Sequence, residues 1–203
     1  MQQRYLMTHS LLSSWLYALD NPYEDATTER DPMLEFLQVL HRQPTETTKS
    51  MQYGIDFENL ITALVTHDDY DPMLESEGAQ QIADIVSGGC LQVKASKEIM
   101  VRDMPILLYG RLDALKAGTI YDIKFSRNYE RGKFFNSTQH PMYMRIVPEA
   151  QRFTYLVSNG NSVWSETYIR DEIRPIEPMI YDFFDWLDTV GLTDVYRENW
   201  VSL

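Results

Sequence analysis

Cysteine is all but absent from this chain. The single thiol, Cys90, excludes an intramolecular disulfide and any all-cysteine zinc or iron–sulfur site. Such sparing use suits a reducing compartment, and a cytoplasmic location is expected. The four histidines are scattered without metal-ligand spacing. No apolar run approaches the ~18 residues that suggest a membrane span. The apolar stretch near the N-terminus is interrupted by polar residues and lacks a small-residue cleavage site, so neither a membrane partner nor an export signal is expected. Positive charge is also scarce: 18 Lys and Arg against 30 Asp and Glu give a net charge of −12. That excludes broad electrostatic capture of nucleic acid by the whole surface, but not by a local basic groove. There is no internal repeat and no low-complexity segment.

What is present is enough for a full core. The chain has 203 residues, 44% hydrophobic and 12% aromatic, which fits one folded domain spanning 1–203. Its scarce cations are clustered. Arg102, Arg111, Lys116, Lys124, Arg127, Arg131, Lys133 and Arg145 lie close together in sequence, whereas acidic residues crowd the N-terminal third and the C-terminal tail. An anionic partner is therefore expected between residues 102 and 145.

The patterning divides the domain into N-terminal helices (1–90), a core sheet (91–170) and a C-terminal helix (175–203). Ser10 is the expected cap of a helix over Leu11–Leu19, ended by Asn21-Pro22. Residues 23–30 and 43–50 read as polar loops. Asp31-Pro32 opens a second helix, to about His41. A third begins near Met51, with Phe57, Leu60, Ile61, Leu64 and Val65 as its apolar stripe and Glu58 at the border of that stripe. Glu75–Val86 is a fourth, and Leu91–Val101 a strand. A short helix over 138–147 precedes a hairpin of 151–157 with 162–170 around Ser158-Asn159-Gly160-Asn161. Two closing helices follow, from Pro175 and from Thr193. The fold class is α/β, with a mixed central sheet of about five strands flanked by helices. Cys90 is expected as an inert buried thiol.

One stretch carries chemistry. In Leu107–Ser126 two apolar runs flank Lys116-Ala117-Gly118-Thr119, a hairpin signal. With Lys116 opposite Thr119, Asp113 falls opposite Asp122. Alternation then puts Lys124 on the face of the two aspartates and Leu112, Ala114, Ile123 and Phe125 on the other. Like charges directly opposed destabilise a sheet. A divalent cation with hard oxygen ligands, magnesium, manganese or calcium, offsets the repulsion.

Gly54-Ile55-Asp56-Phe57-Glu58, Gly110-Arg111-Leu112-Asp113, Asp122-Ile123-Lys124 and Gln139-His140-Pro141-Met142-Tyr143, in that order, resemble the PD-(D/E)XK nuclease superfamily, in its RecB-like and lambda-exonuclease-like branch. The opening Ser10–Leu16 is also similar to the start of many of these nucleases, and the resemblance spans roughly residues 8–170. It implies a restriction-endonuclease-like core and Mg2+- or Mn2+-dependent hydrolysis of DNA phosphodiester bonds. It also implies an exonuclease of recombination, repair or phage DNA processing, acting on single- or double-stranded ends. Asp113 and Asp122 would hold the metal, with the Ile123 carbonyl as a further ligand and Glu58 in support. Lys124 would position or help deprotonate the attacking water, and Gln139 and Tyr143, one helical turn apart, would face the site. Gln151 and Tyr155 repeat the Q-x₃-Y spacing and are the fallback pair. Two departures stand out. The four cysteines of the iron–sulfur subtypes are missing, and no histidine precedes Glu58 on its helix. A homo-oligomer or a recombination partner protein could complete a basic channel. The rival readings are an inactive nuclease fold serving as an acidic partner-binding or DNA-mimic module, and an RNA-directed or structure-specific endonuclease.

Overall fold

The structure is a computed structural model, and it describes residues 3–21, 31–45 and 47–202. In chain order its elements begin with β1 (Arg4–Met7), α1 (His9–Asp20), α2 (Pro32–Leu40), α3 (Lys49–Thr66) and α4 (Glu77–Val86). Next come β2 (Cys90–Val101), β3 (Met104–Lys116), β4 (Thr119–Phe125), α5 (Gln139–Ile146), β5 (Arg152–Ser158) and β6 (Val163–Ile169). The C-terminal part is α6 (Glu177–Val190), α7 (Thr193–Asn199) and β7 (Val201–Ser202). The polar stretch 23–30 lies outside the described residues. Among those described, no helix is long and apolar enough to cross a membrane.

Local chemistry sets the helix starts. The Thr8 hydroxyl accepts the Leu11 N–H, so α1 is capped two residues earlier than Ser10 would have capped it. The Asp31 carboxylate accepts the N–H groups of Met33 and Leu34, with Pro32 in the first turn. Thr48 caps α3 in the same manner.

The sheet is mixed, in the order β6-β5-β4-β3-β1-β7, with β2 paired to β3. Expected as about five strands, it has seven among the described residues. The extra two are the short β1 and β7 at the chain ends, too brief for an alternating pattern. The long β3 organises the sheet. It pairs with β2 antiparallel along its length, from Met104 to Leu115. Its opposite edge is shared by β1, parallel at Ile106–Leu108, and β4, antiparallel at Ala114–Lys116. The hairpin register is the one expected, with Lys116 opposite Thr119. The turn closes through Ala117 at φ 47 and Gly118 at φ 74, the positive pair that a two-residue hairpin of type I′ requires.

Two apolar clusters cover the two faces. The larger gathers α1, α2, α5, α6 and α7 around residues such as Leu12, Phe36, Phe153, Phe183 and Tyr196. The smaller joins α3 and α4 to Ala114, Ile123 and Leu156. Alternation along β4 sends Ile120 to the first and Ile123 to the second. Leu112 corrects the sequence expectation, because it packs in the larger cluster with Ile106 and Leu108 and not with Ala114. The β2–β3 ladder skips the Gln92–Asp113 rung, where Gln92 adopts φ 52, and the alternation of faces shifts across that break. Cys90 is also corrected: it begins β2 and is exposed.

Close approach explains Gly110. A Cβ there would lie 2.3 Å from the Tyr143 ring, so only glycine lets α5 settle on β3. Gly110→Ala should destabilise the fold by about 1–3 kcal/mol, the usual cost of overpacking, read as a lower midpoint in chemical denaturation. An unchanged midpoint would mean that the ring moves aside freely.

Candidate active site

Asp113 and Asp122 sit just past the last rung of the β3–β4 ladder, which ends at Ala114–Tyr121. In place of further strand pairing, Asp113 Oδ2 accepts the Ile123 N–H at 2.8 Å. The break in β2–β3 pairing falls on the same residue, so Asp113 lies where β3 departs from both neighbours. Both carboxylates are buried, at 6% and 3% exposure. Lys124 comes off the same strand as Asp122, and its Nζ lies 2.7 Å from Asp122 Oδ2. That oxygen is buried and, apart from this ion pair, has no hydrogen-bond partner. The first residue of α5 completes the group, with the Gln139 amide donating to Asp122 Oδ1.

The charges are unbalanced, and the titration behaviour follows. Burial, then the Asp122 and Glu58 carboxylates, push Asp113 up to about 8, against the opposing Ile123 N–H and Lys124. Burial also raises Asp122, opposed by Lys124 and Gln139. Lys124 shifts upward as well: burial works against its charge, but Asp122, Asp113 and Glu58 together outweigh it. Glu58 reaches the site from α3. It is half-buried, and burial followed by the Asp122 charge raises its carboxyl, with Lys124 and Arg111 in opposition. Among the described residues it forms no ion pair, and no three His, Cys, Asp or Glu side chains are arranged as a ready metal cluster.

The other expected residues divide. Ile123 contributes its N–H to Asp113 while its side chain packs in the smaller cluster. Tyr143 is buried, and its hydroxyl donates to the Arg111 carbonyl at 3.2 Å. Burial is the first cause that raises its hydroxyl to about 12. Its place is therefore between α5 and β3, where the Asp122 and Asp113 charges act on it. The fallback pair does not converge. Gln151 is exposed and donates to the Glu149 carbonyl, whereas Tyr155 is fully buried, its hydroxyl 3.1 Å from His140 Nδ1.

Sequence reasoning missed His9. The imidazole stands edge-on to Tyr143, ring centres 5.4 Å apart, at the start of α1. Burial first, and the Lys124 charge second, lower it to about 4, so it is neutral near pH 7. The Thr138 hydroxyl holds it there by donating to the His9 carbonyl at 2.9 Å. No spacing rule links residue 9 to a motif beginning at 110. The only signal was its position beside the Ser10–Leu16 segment.

Metal binding can be tested against this geometry. Two carboxyl groups are buried with one ammonium, which pairs with Asp122, and one buried Asp122 oxygen has no donor of good geometry. Such a donor set suits a hard divalent cation. The candidate ligands are Asp113 and Asp122, with Glu58 and the Ile123 carbonyl beside them.

No family model and no curated protein matches this chain. Among solved structures, the crystal structure of SSO0001 is similar across 95% of this chain and 79% of that one, at 14% identity and a TM-score of 0.53. A likeness at that identity extends to the fold and to no residue role.

Proposed function

We propose that this chain is a metal-dependent nuclease that hydrolyses DNA phosphodiester bonds, an exonuclease of recombination, repair or phage DNA processing. The observation that carries the reading is the buried Asp113–Asp122 pair with Lys124 against it. Asp113 and Asp122, with Glu58 and the Ile123 carbonyl in support, would hold a magnesium or manganese ion, which when bound would supply charge neutralisation at the scissile phosphate and a lowered pKa of water. The protein's own groups do the rest. Gln139 fixes the Asp122 carboxylate through Oδ1, leaving Oδ2 turned toward Lys124. Lys124 keeps its proton at neutral pH under the influence of three carboxylates, so its contribution is positive charge toward the phosphate. Tyr143, through the Arg111 carbonyl, sets the spacing of α5 from β3 and hence the reach of Gln139. The net charge of −12 favours the rival reading, an inactive acidic module that binds a basic partner or mimics DNA.

Three outcomes test the proposal. Asp122→Ala and Lys124→Ala should each reduce magnesium-dependent degradation of linear DNA by at least about a thousandfold while the circular dichroism spectrum is retained. Wild-type protein that leaves linear, circular, single- and double-stranded DNA intact with both magnesium and manganese would favour the acidic module.

The second outcome is a pH dependence. A carboxylate must lose its proton to bind a cation. With Asp113 near 8, manganese affinity measured by calorimetry should rise about tenfold per pH unit up to about pH 8 and then level off. A flat profile from pH 6 to 9 would contradict the assignment of Asp113 as a ligand.

The third concerns stability. The folded pKa of Asp113 lies above its ordinary value of 3.8, so the folded state holds the extra proton between about 4 and 8. Wild-type stability therefore falls as pH rises through that window. Asn can still accept the Ile123 N–H without carrying the charge. In metal-free buffer Asp113→Asn should exceed wild type by about 2–5 kcal/mol at pH 9, with the gap closing toward pH 4. Equal stabilities at pH 9 would show that the carboxylate is adequately solvated.

A further inference from the structure

The stretch from Ser126 to Ser137 crosses from β4 to α5 without regular structure, yet one buried carboxylate holds it in place. Glu166 of β6 accepts the Tyr129 hydroxyl at 2.6 Å, the Gly132 N–H at 3.0 Å, the Phe134 N–H at 3.1 Å and the Tyr168 hydroxyl. Burial opposes its charge, but these donors outweigh burial and keep it below the usual carboxylate range. Two aromatic members of the segment, Tyr129 and Phe134, pack against the sheet, while Phe135 is exposed. Phe134 stacks on Tyr155 with ring centres 4.2 Å apart, and Tyr129 lies against Phe134 and Trp164.

Its cations turn outward. Arg127, Arg131 and Lys133 are exposed, and no carboxylate lies within ion-pair distance of any of them among the described residues. In a chain of net charge −12, three unpaired cations on a pinned segment form a local basic surface.

Beside it, directly after Lys124, is an open recess of about 410 Å³ whose lining includes Ser50, Tyr53, Phe125, Ser126, Arg127 and Lys133. That volume is within the range of roughly 300–1,000 Å³ for ligand sites. Tyr53 is 53% exposed, and its ring centre is 6.5 Å from Phe125. The Arg127 guanidinium stands 5.4 Å from the Tyr53 ring centre. Lys133 Nζ reaches Ser126 Oγ at 3.4 Å, which brings the second cation to the same recess.

We infer that this recess is a binding subsite for an unpaired nucleotide of a single DNA strand, its base on Tyr53 and Phe125 and its phosphate on Arg127 and Lys133. The inference rests on the nuclease reading for the identity of the polymer, and it adds where the strand runs and that the strand is unpaired. A stacked, paired base has no free face to offer an aromatic ring, whereas a single strand does. The cations serve the backbone and carry no sequence preference.

Binding of a fluorescein-labelled oligo-dT strand of about twelve nucleotides, followed by anisotropy in EDTA, separates the two ideas. Wild type should bind it at least about tenfold more tightly than a blunt duplex of equal length. Tyr53→Ala should weaken binding about tenfold with the salt dependence unchanged, and Tyr53→Phe should bind like wild type. Arg127→Ala/Lys133→Ala should weaken binding and make the log K against log[salt] slope shallower by about 0.7, the contribution of one phosphate on a single strand. All three residues are on the surface, and unchanged melting curves would confirm intact folds. Variants that bind like wild type, or a duplex bound as tightly as the single strand, would overturn the subsite even if the enzyme cleaves DNA. A wild type that binds through these residues but never cleaves the strand with manganese would keep the subsite and lose the nuclease reading.

Discussion

Burying two carboxylates side by side is the constraint on which the centre of this structure depends. Asp113 and Asp122 are removed from solvent with a single ammonium, that of Lys124, paired to Asp122, an arrangement that costs stability unless further positive charge arrives. The surroundings hold the pair in place. The β3–β4 ladder stops one rung short, the Ile123 N–H ties down Asp113, and Gln139 ties down Asp122. Gly110 admits Tyr143, and Tyr143 fixes the helix that carries Gln139. Packing on the face of the larger cluster thus translates into the orientation of one carboxylate.

Much of this was legible in the sequence because it is local. The Lys116–Thr119 turn has residues that set the register, so the ladder as far as Ala114–Tyr121 follows from pleat geometry, while the seat of Asp113 just beyond it also depends on its bond to the Ile123 N–H. The helical turn between Gln139 and Tyr143 was also legible, but their different tasks were not. Which side chain meets the carboxylate depends on the angle at which α5 lies on the sheet, and that angle is set by Gly110, far away in sequence. Leu112 escaped for a related reason: a break in the ladder opposite Gln92 resets the alternation, and nothing in the composition of β2 announces it.

The least legible parts come from the chain ends and from loops. His9 joins the site only because β1 places α1 beside α5, and β1 is too short to leave a pattern. The basic segment after Ser126 was visible as a cluster of charge. Its rigidity was not, because the holding carboxylate, Glu166, lies on a strand whose own alternation gives no hint of the loop above it. The pinned basic segment lets a strongly acidic chain present a small positive surface directly after the strand that carries Asp122 and Lys124.

Anomalous diffraction from a manganese-soaked crystal tests the proposed cation site most directly. The account predicts one strong peak bonded to carboxylate oxygens of both Asp113 and Asp122, at about 2.0–2.6 Å from each, lost in Asp122→Asn. Density with no peak at the pair, and Lys124 still seated on Asp122, would contradict it.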